Sequence, residues 1–152
     1  MISLKVPYSI LSKRPKISLA TTTPDRLFLA TGRGASIDKA ESDLRGAVLV
    51  ALEALAKRGI DGITPLLHVP LPKGFITLKA SECWAILLRC ERVKAGLTQA
   101  YMAGRLGITQ PSYAKLERVG YKPSLDVVLH VQAVLGVQII SQFEGGMYQV
   151  PA

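Results

Sequence analysis

Residues 97–117 read LTQAYMAGRLGITQPSYAKLE, and the fold of the second half of the chain turns on how that stretch is parsed. Thr98 is an N-cap residue in front of one short helix, its hydroxyl placed to accept from the free N–H groups of the first turn. Gly107, between Leu106 and Ile108, takes the positive φ that a sharp helix ending requires and that a Cβ would oppose. A second short helix starts at about residue 110. Ala103 is small enough for that helix to cross closely over it. Ile108, Tyr113 and Leu116 are expected to face inward and hold the two helices together, leaving Thr, Gln, Ser and Lys on the outer side.

Two short helices crossed at a glycine corner have the layout of a helix-turn-helix. A polar outer face suits the major groove, where a Gln amide can bond the N6/N7 edge of adenine with both of its ends. The spacing resembles the Xre family of phage-repressor-like DNA-binding domains over about residues 84–137. The match runs through RVKAGLTQ (92–99), RLGITQ (105–110), KLE (115–117) and PSLD…LGV (123–137). The resemblance implies that Gln99 meets a phosphate and that Thr109, Gln110, Pro111, Ser112 and Lys115 face bases. It also implies a structural ion pair between Arg92 and Glu117. Pro111 stands where the family often has a polar residue, and is tolerated in a first helical turn. Tyr113 stands where Ile or Val is usual, so its hydroxyl either reaches a polar partner or protrudes.

Outward from this motif, apolar spacing predicts helices over 81–95, 98–106, 110–118 and 125–135. Residues 137–143 alternate instead and are rich in β-branched side chains, which predicts a strand. Such a strand lacks a neighbour in its own domain, and an unpaired apolar strand invites association. A homodimer, or a tetramer, is therefore expected, burying Val137, Ile139, Ile140 and Phe143. Dimers also suit a palindromic operator with half-sites one helical turn apart.

The first half reads differently. Strands are expected over 4–11, 16–22 and 26–31, with Ser12-Lys13-Arg14-Pro15 as a turn, and an antiparallel meander is the simplest topology. Gly32-Arg33-Gly34 is expected to close the strand region. Ser36 then caps a helix over 37–58, with Asp38, Glu41 and Asp43 near its positive end and Gly59 just past its other end. Glycines and prolines crowd residues 59–74 and exclude regular structure over most of it. A short fourth strand follows at 75–78, and a domain boundary falls at about residue 79, dividing the chain into 1–79 and 80–152.

That order, with Gly34, Ser36 and Ala40 opening the helix, resembles the N-terminal domain of HicB antitoxins. The resemblance implies an α+β protein: a β-β-β-α-β domain of degenerate ribonuclease H-like fold, then an all-α helix-turn-helix domain with a C-terminal dimerisation strand. It further implies an antitoxin that neutralises a HicA-type mRNA-cleaving toxin and represses its own operon by binding operator DNA. The other reading is a free-standing Xre-family repressor whose N-terminal domain oligomerises or senses something else.

Composition bounds both readings. The 152 residues are 49% apolar and 20% charged, enough for a packed core and too apolar for a disordered chain. The longest uncharged apolar run near a helix, residues 46–52, is far short of the roughly 18–20 residues of a membrane span. The N-terminus lacks the pattern of a secretory signal, so a cytoplasmic location is expected. Cys83 and Cys90 lie seven apart on one helix and have no partner pair for a metal, so buried thiols are expected, with no metal and no cofactor. No enzyme is expected either: no carboxylate precedes Asp25, and His68 and His130 have no carboxylate partner in sequence. The formal charge of +8 suggests an anionic partner. It is unevenly placed, with +6 in residues 1–79 and +2 in residues 80–152.

Overall fold

The computed structural model describes residues 3–22, 28–63 and 74–139. Among them the order is β1 (Ser3–Ser12), β2 (Ile17–Thr22), β3 (Leu29–Gly34), α1 (Ile37–Ala56), β4 (Gly74–Lys79), α2 (Ala80–Lys94), α3 (Gln99–Leu106), α4 (Gln110–Leu116) and α5 (Leu125–Leu135). The protein is α+β, with an antiparallel sheet followed by helices. The sheet runs β3-β2-β1-β4. Its first three strands form the expected meander, and β4 joins antiparallel to β1 with Val6 opposite Ile76.

One face of the sheet is built to take α1. Ser36 accepts from the Lys39 N–H at 3.4 Å and starts the helix. Ala40, Leu44, Val48 and Leu52 then fall on one stripe and are fully buried. Burying a Leu or Val side chain stabilises by about 1.5–3 kcal/mol, so this stripe is a main support of the N-terminal half. Contrary to expectation, β3 does not stop before Gly32-Arg33-Gly34 but runs through it. The glycines are there because α1 lies against the strand: a Cβ on Gly32 would come within 2.2 Å of the Leu44 nitrogen, and one on Gly34 within 2.5 Å of the Ala40 nitrogen. Gly74 similarly leaves room for the Tyr8 ring across the sheet. Pro7 is accommodated in an inner strand because the β1–β2 ladder begins only at Ser9, so its missing N–H leaves that ladder intact.

α1 ends at Ala56, two residues earlier than expected, and Gly59 follows with φ +69°. The chain passes from β4 to α2 without an intervening residue. One continuous core runs from Val6 and Leu19 through Leu44, Trp84 and Leu88 to Met102, Tyr113 and Ile139. After α5, Gly136 takes the left-handed conformation (φ +69°) and turns the chain. Residues 137–139, expected to begin a strand, form a turn instead. Ile139 is fully buried in this core, and Val137 packs against it; burial within the same chain has outweighed the β-branched preference. Ile140 and Phe143, like His68, lie outside the described residues.

Candidate nucleic-acid interface

Each end of the two crossed helices has its own local cause. Thr98 accepts from the Tyr101 N–H at 3.0 Å and caps α3. Gly107 ends α3 with φ +67°. Thr109 then caps α4, accepting from the Ser112 N–H at 3.3 Å, and its hydroxyl and that of Ser112 lie 2.8 Å apart. Pro111 sits in the first turn of α4, where its missing N–H has no intrahelical role. Met102 and Ala103 of α3 face Tyr113 and Leu116 of α4 in the core, all four buried. Ile108 departs from expectation. It follows the left-handed corner, which turns its side chain outward, and it is 40% exposed.

Beneath α4 lies a buried carboxylate. Glu117 is 1% exposed. Arg92 on α2 donates to both its oxygens, Nε to Oε1 at 2.5 Å and Nη2 to Oε2 at 2.9 Å, and through Nη1 to the Leu97 carbonyl at 2.7 Å. One guanidinium thus ties together α2, the loop before α3 and the end of α4. Arg89, three residues earlier on α2, adds longer bonds to Glu117 Oε2 and to its backbone carbonyl at 3.4 and 3.3 Å. Burial alone would push the Glu117 carboxyl up. The hydrogen bonds from Arg92 and Gln99 and the charge of Arg92 outweigh it and hold the group below its ordinary value. Tyr113 neither protrudes nor finds a hydrogen-bond partner among the described residues. It is wholly buried beside this cluster, and burial, then the charge of Glu117, push its hydroxyl well above its ordinary value.

Gln99 has an inward role that its resemblance to a phosphate ligand did not reveal. Its Nε2 donates to Glu117 Oε2 at 2.9 Å, and its Oε1 accepts from Gln110 Nε2 at 3.2 Å. The carboxylate can only accept, so the Gln99 amide has one orientation, and that orientation fixes the amide of Gln110 in turn. Gln99 keeps a second N–H. Gln110 keeps one N–H and its carbonyl oxygen, the donor and acceptor that an adenine edge requires. Thr109, Gln110, Pro111 and Ser112, round the cap and first turn of α4, and Lys115 are all exposed. Arg89 and Tyr113 were missed as members of the cluster. Arg89 lies one turn from Arg92, a spacing that could have marked it.

The N-terminal carboxylates do not assemble into a comparable site. Glu41 accepts from the Tyr8 hydroxyl at 2.7 Å; burial, and then this bond, push that phenol up to about 12. Asp43 accepts from the Arg33 N–H at 2.9 Å. Arg45 pairs with Glu82 and donates to the Thr77 carbonyl at 3.0 Å. An open cleft of about 570 Å³ lies between α1 and β4 around Glu41, Arg45 and Glu82. Among the described residues no group of His, Cys, Asp and Glu could hold a metal ion. Cys83 and Cys90 are free and buried, with burial pushing their thiols up to about 12 and about 11. His130 is exposed on α5. No helix among the described residues is long and apolar enough to cross a membrane.

Comparison with curated proteins gave no match. Residues 88–141, however, match the family model described as Helix-turn-helix (HTH_3). With the capped helices, the glycine corner and the exposed polar side of α4, the match makes this segment a helix-turn-helix domain of the Xre type, the DNA-binding unit of transcriptional regulators.

Proposed function

We propose that the protein is an operator-binding repressor that also acts as the antitoxin of a HicA-type toxin, with residues 80–152 reading DNA and residues 1–79 holding the toxin. The observation that carries the DNA half is the exposed polar side of α4 standing on the Arg92–Glu117–Gln99 scaffold. Gln110, Thr109, Ser112 and Lys115 face base edges in the major groove, Pro111 packs beside them, and Gln99 donates its spare N–H to a phosphate. A dimer presents two such helices to a palindrome, with its contact in the residues after α5, including Val137, Ile140 and Phe143.

Support for the antitoxin half is the β-β-β-α-β order ahead of the helix-turn-helix, together with Gly34, Ser36 and Ala40 at the start of α1. Co-expression with the neighbouring genes tests it: a small ribonuclease held by the full chain and silenced by it is the expected result. Operator repression without any such partner would leave the free-standing repressor. For the DNA half, Gln110→Ala and Lys115→Ala should each cost about 1–3 kcal/mol at the operator and relax preference at one position. Gln99→Ala should weaken all sequences nearly alike. Deleting residues 137–152 should give monomers with poor operator affinity, although removing Ile139 will also cost stability.

A further inference from the structure

Among the described residues, no helix packs on the face of the sheet turned away from α1. The register places Lys5, Pro7 and Ser9 of β1 on it, with Ser18 and Ala20 of β2, Leu29, Thr31 and Arg33 of β3, and Phe75, Thr77 and Lys79 of β4; Pro7 and Ala20 are buried, and Ser9, Leu29, Thr31, Arg33, Phe75, Thr77 and Lys79 are exposed. Lys13, Arg14 and Lys16 in the β1–β2 turn stand exposed at one end of it. The described strands and the turn between β1 and β2 contain six cations and no carboxylate. The carboxylates of this half lie on α1 or follow it, apart from Asp25, which lies outside the described residues. The surplus of positive charge in the first 79 residues therefore has a location. It is not the helix-turn-helix.

The kind of polyanion follows from what else the face carries. A single-stranded nucleic acid needs a row of aromatic side chains for its bases to stack on, and Phe75 is the one aromatic the described strands place here. The core of a protein interface is depleted of charge, whereas Lys5, Arg33 and Lys79 spread from one edge of the sheet to the other. Dispersed cations with exposed hydroxyls such as Ser9 and Thr31 between them are donors suited to phosphate oxygens, without the means to read bases. We propose that the open face of the N-terminal sheet is a second, sequence-independent DNA contact that binds the phosphate backbone of a duplex.

The test uses the full chain and a short random-sequence duplex titrated across a range of NaCl concentrations. A Lys13→Ala/Arg14→Ala/Lys16→Ala variant and a Lys5→Ala/Arg33→Ala variant are compared with the parent after circular dichroism shows each to be folded. For every phosphate the variant no longer neutralises, the slope of log affinity against log salt should fall by about 0.9, and the triple variant should bind at least about tenfold more weakly at low salt. Unchanged slope and affinity in both variants would overturn the proposal. So would weaker binding of poly-glutamate with unchanged binding of the duplex, which would assign the face to an acidic protein. Gln110→Ala/Lys115→Ala is titrated alongside. If α4 does not read DNA, that variant keeps the parent's operator preference, while the two sheet variants still report on the sheet through affinity and salt slope.

Discussion

Replacing Arg92 by methionine keeps the reach of the side chain and removes three hydrogen bonds, those at 2.5 and 2.9 Å to Glu117 and that at 2.7 Å to the Leu97 carbonyl. Glu117 would keep Gln99 at 2.9 Å and a single guanidinium bond from Arg89 at 3.4 Å. Its side chain has no exposed surface through which water could take over from the missing donors. Removing one partner of a buried ion pair costs about 3–5 kcal/mol. Because Arg89 still supplies a nearby positive charge, Arg92→Met belongs at the lower end, about 3 kcal/mol, a large share of an ordinary domain stability of about 5–15 kcal/mol. Arg89→Met breaks only long bonds from a more exposed side chain and should cost about 1 kcal/mol or less. Arg92→Met/Glu117→Leu removes both charges and refills the space with apolar atoms, so it should be less damaging than its single changes predict, by at least about 2 kcal/mol. Urea unfolding followed by the fluorescence of Trp84, the only tryptophan and itself buried on α2, measures all four corners of the cycle. The reasoning fails if Arg92→Met falls within about 1 kcal/mol of the parent, or if the double variant is as unstable as the two single changes added.

Acid should weaken the same cluster. The Glu117 carboxyl titrates below its ordinary value of about 4.5 in the folded chain, so its contribution is complete above that pH and fades as the pH falls through the lower folded value. In Glu117→Gln, unfolding midpoints measured from pH 6 downward (on the order of two units, enough to cross the carboxyl range) should show a shallower slope. Two glycines should respond in opposite directions. Gly32→Ala forces a Cβ into the α1 backbone and should cost more than about 4 kcal/mol in thermal or urea unfolding. Gly46→Ala meets nothing within 4 Å on an exposed helical position and should stabilise by about 0.5–1 kcal/mol. Neither thiol should react with a disulfide reagent in the native protein at mildly alkaline pH, and both should react at once in denaturant.

The two crossed helices were legible because their determinants are local: a hydroxyl cap before each, a glycine at the corner and a fixed spacing between them. What escaped the sequence depends on neighbours distant along the chain. Gly32 and Gly34 look like punctuation, yet they lie inside a strand because α1 needs the space. Ile108 looks like core because it is a large β-branched apolar residue, but the left-handed backbone at Gly107 turns it to solvent. Residues 137–139 carry a strand-like pattern that the pull of the core on Ile139 overrides. In the site, the Arg92–Glu117 pair was implied by the family resemblance, whereas Arg89, Tyr113 and the inward bond of Gln99 appear only once α2 and α4 are set side by side. An amide carries no formal charge to announce a partner.

α2 links these observations. Its residues 82–88 are buried on every side, the condition of a helix enclosed by protein rather than lying on a surface. Its first turn is held by the N-terminal half, with Glu82 accepting from the Lys79 N–H at 2.7 Å and paired with Arg45 of α1. Its last turns carry Arg89 and Arg92, which hold the end of α4 through Glu117. A helix cannot shift at one end and stay still at the other when both are packed to crystal-like density. The outer side of α4 is therefore set relative to the sheet by a rigid element and not by a linker. Whether one duplex meets both α4 and the cationic sheet face is then decided by how far the DNA bends, because the protein offers the two surfaces at a fixed separation.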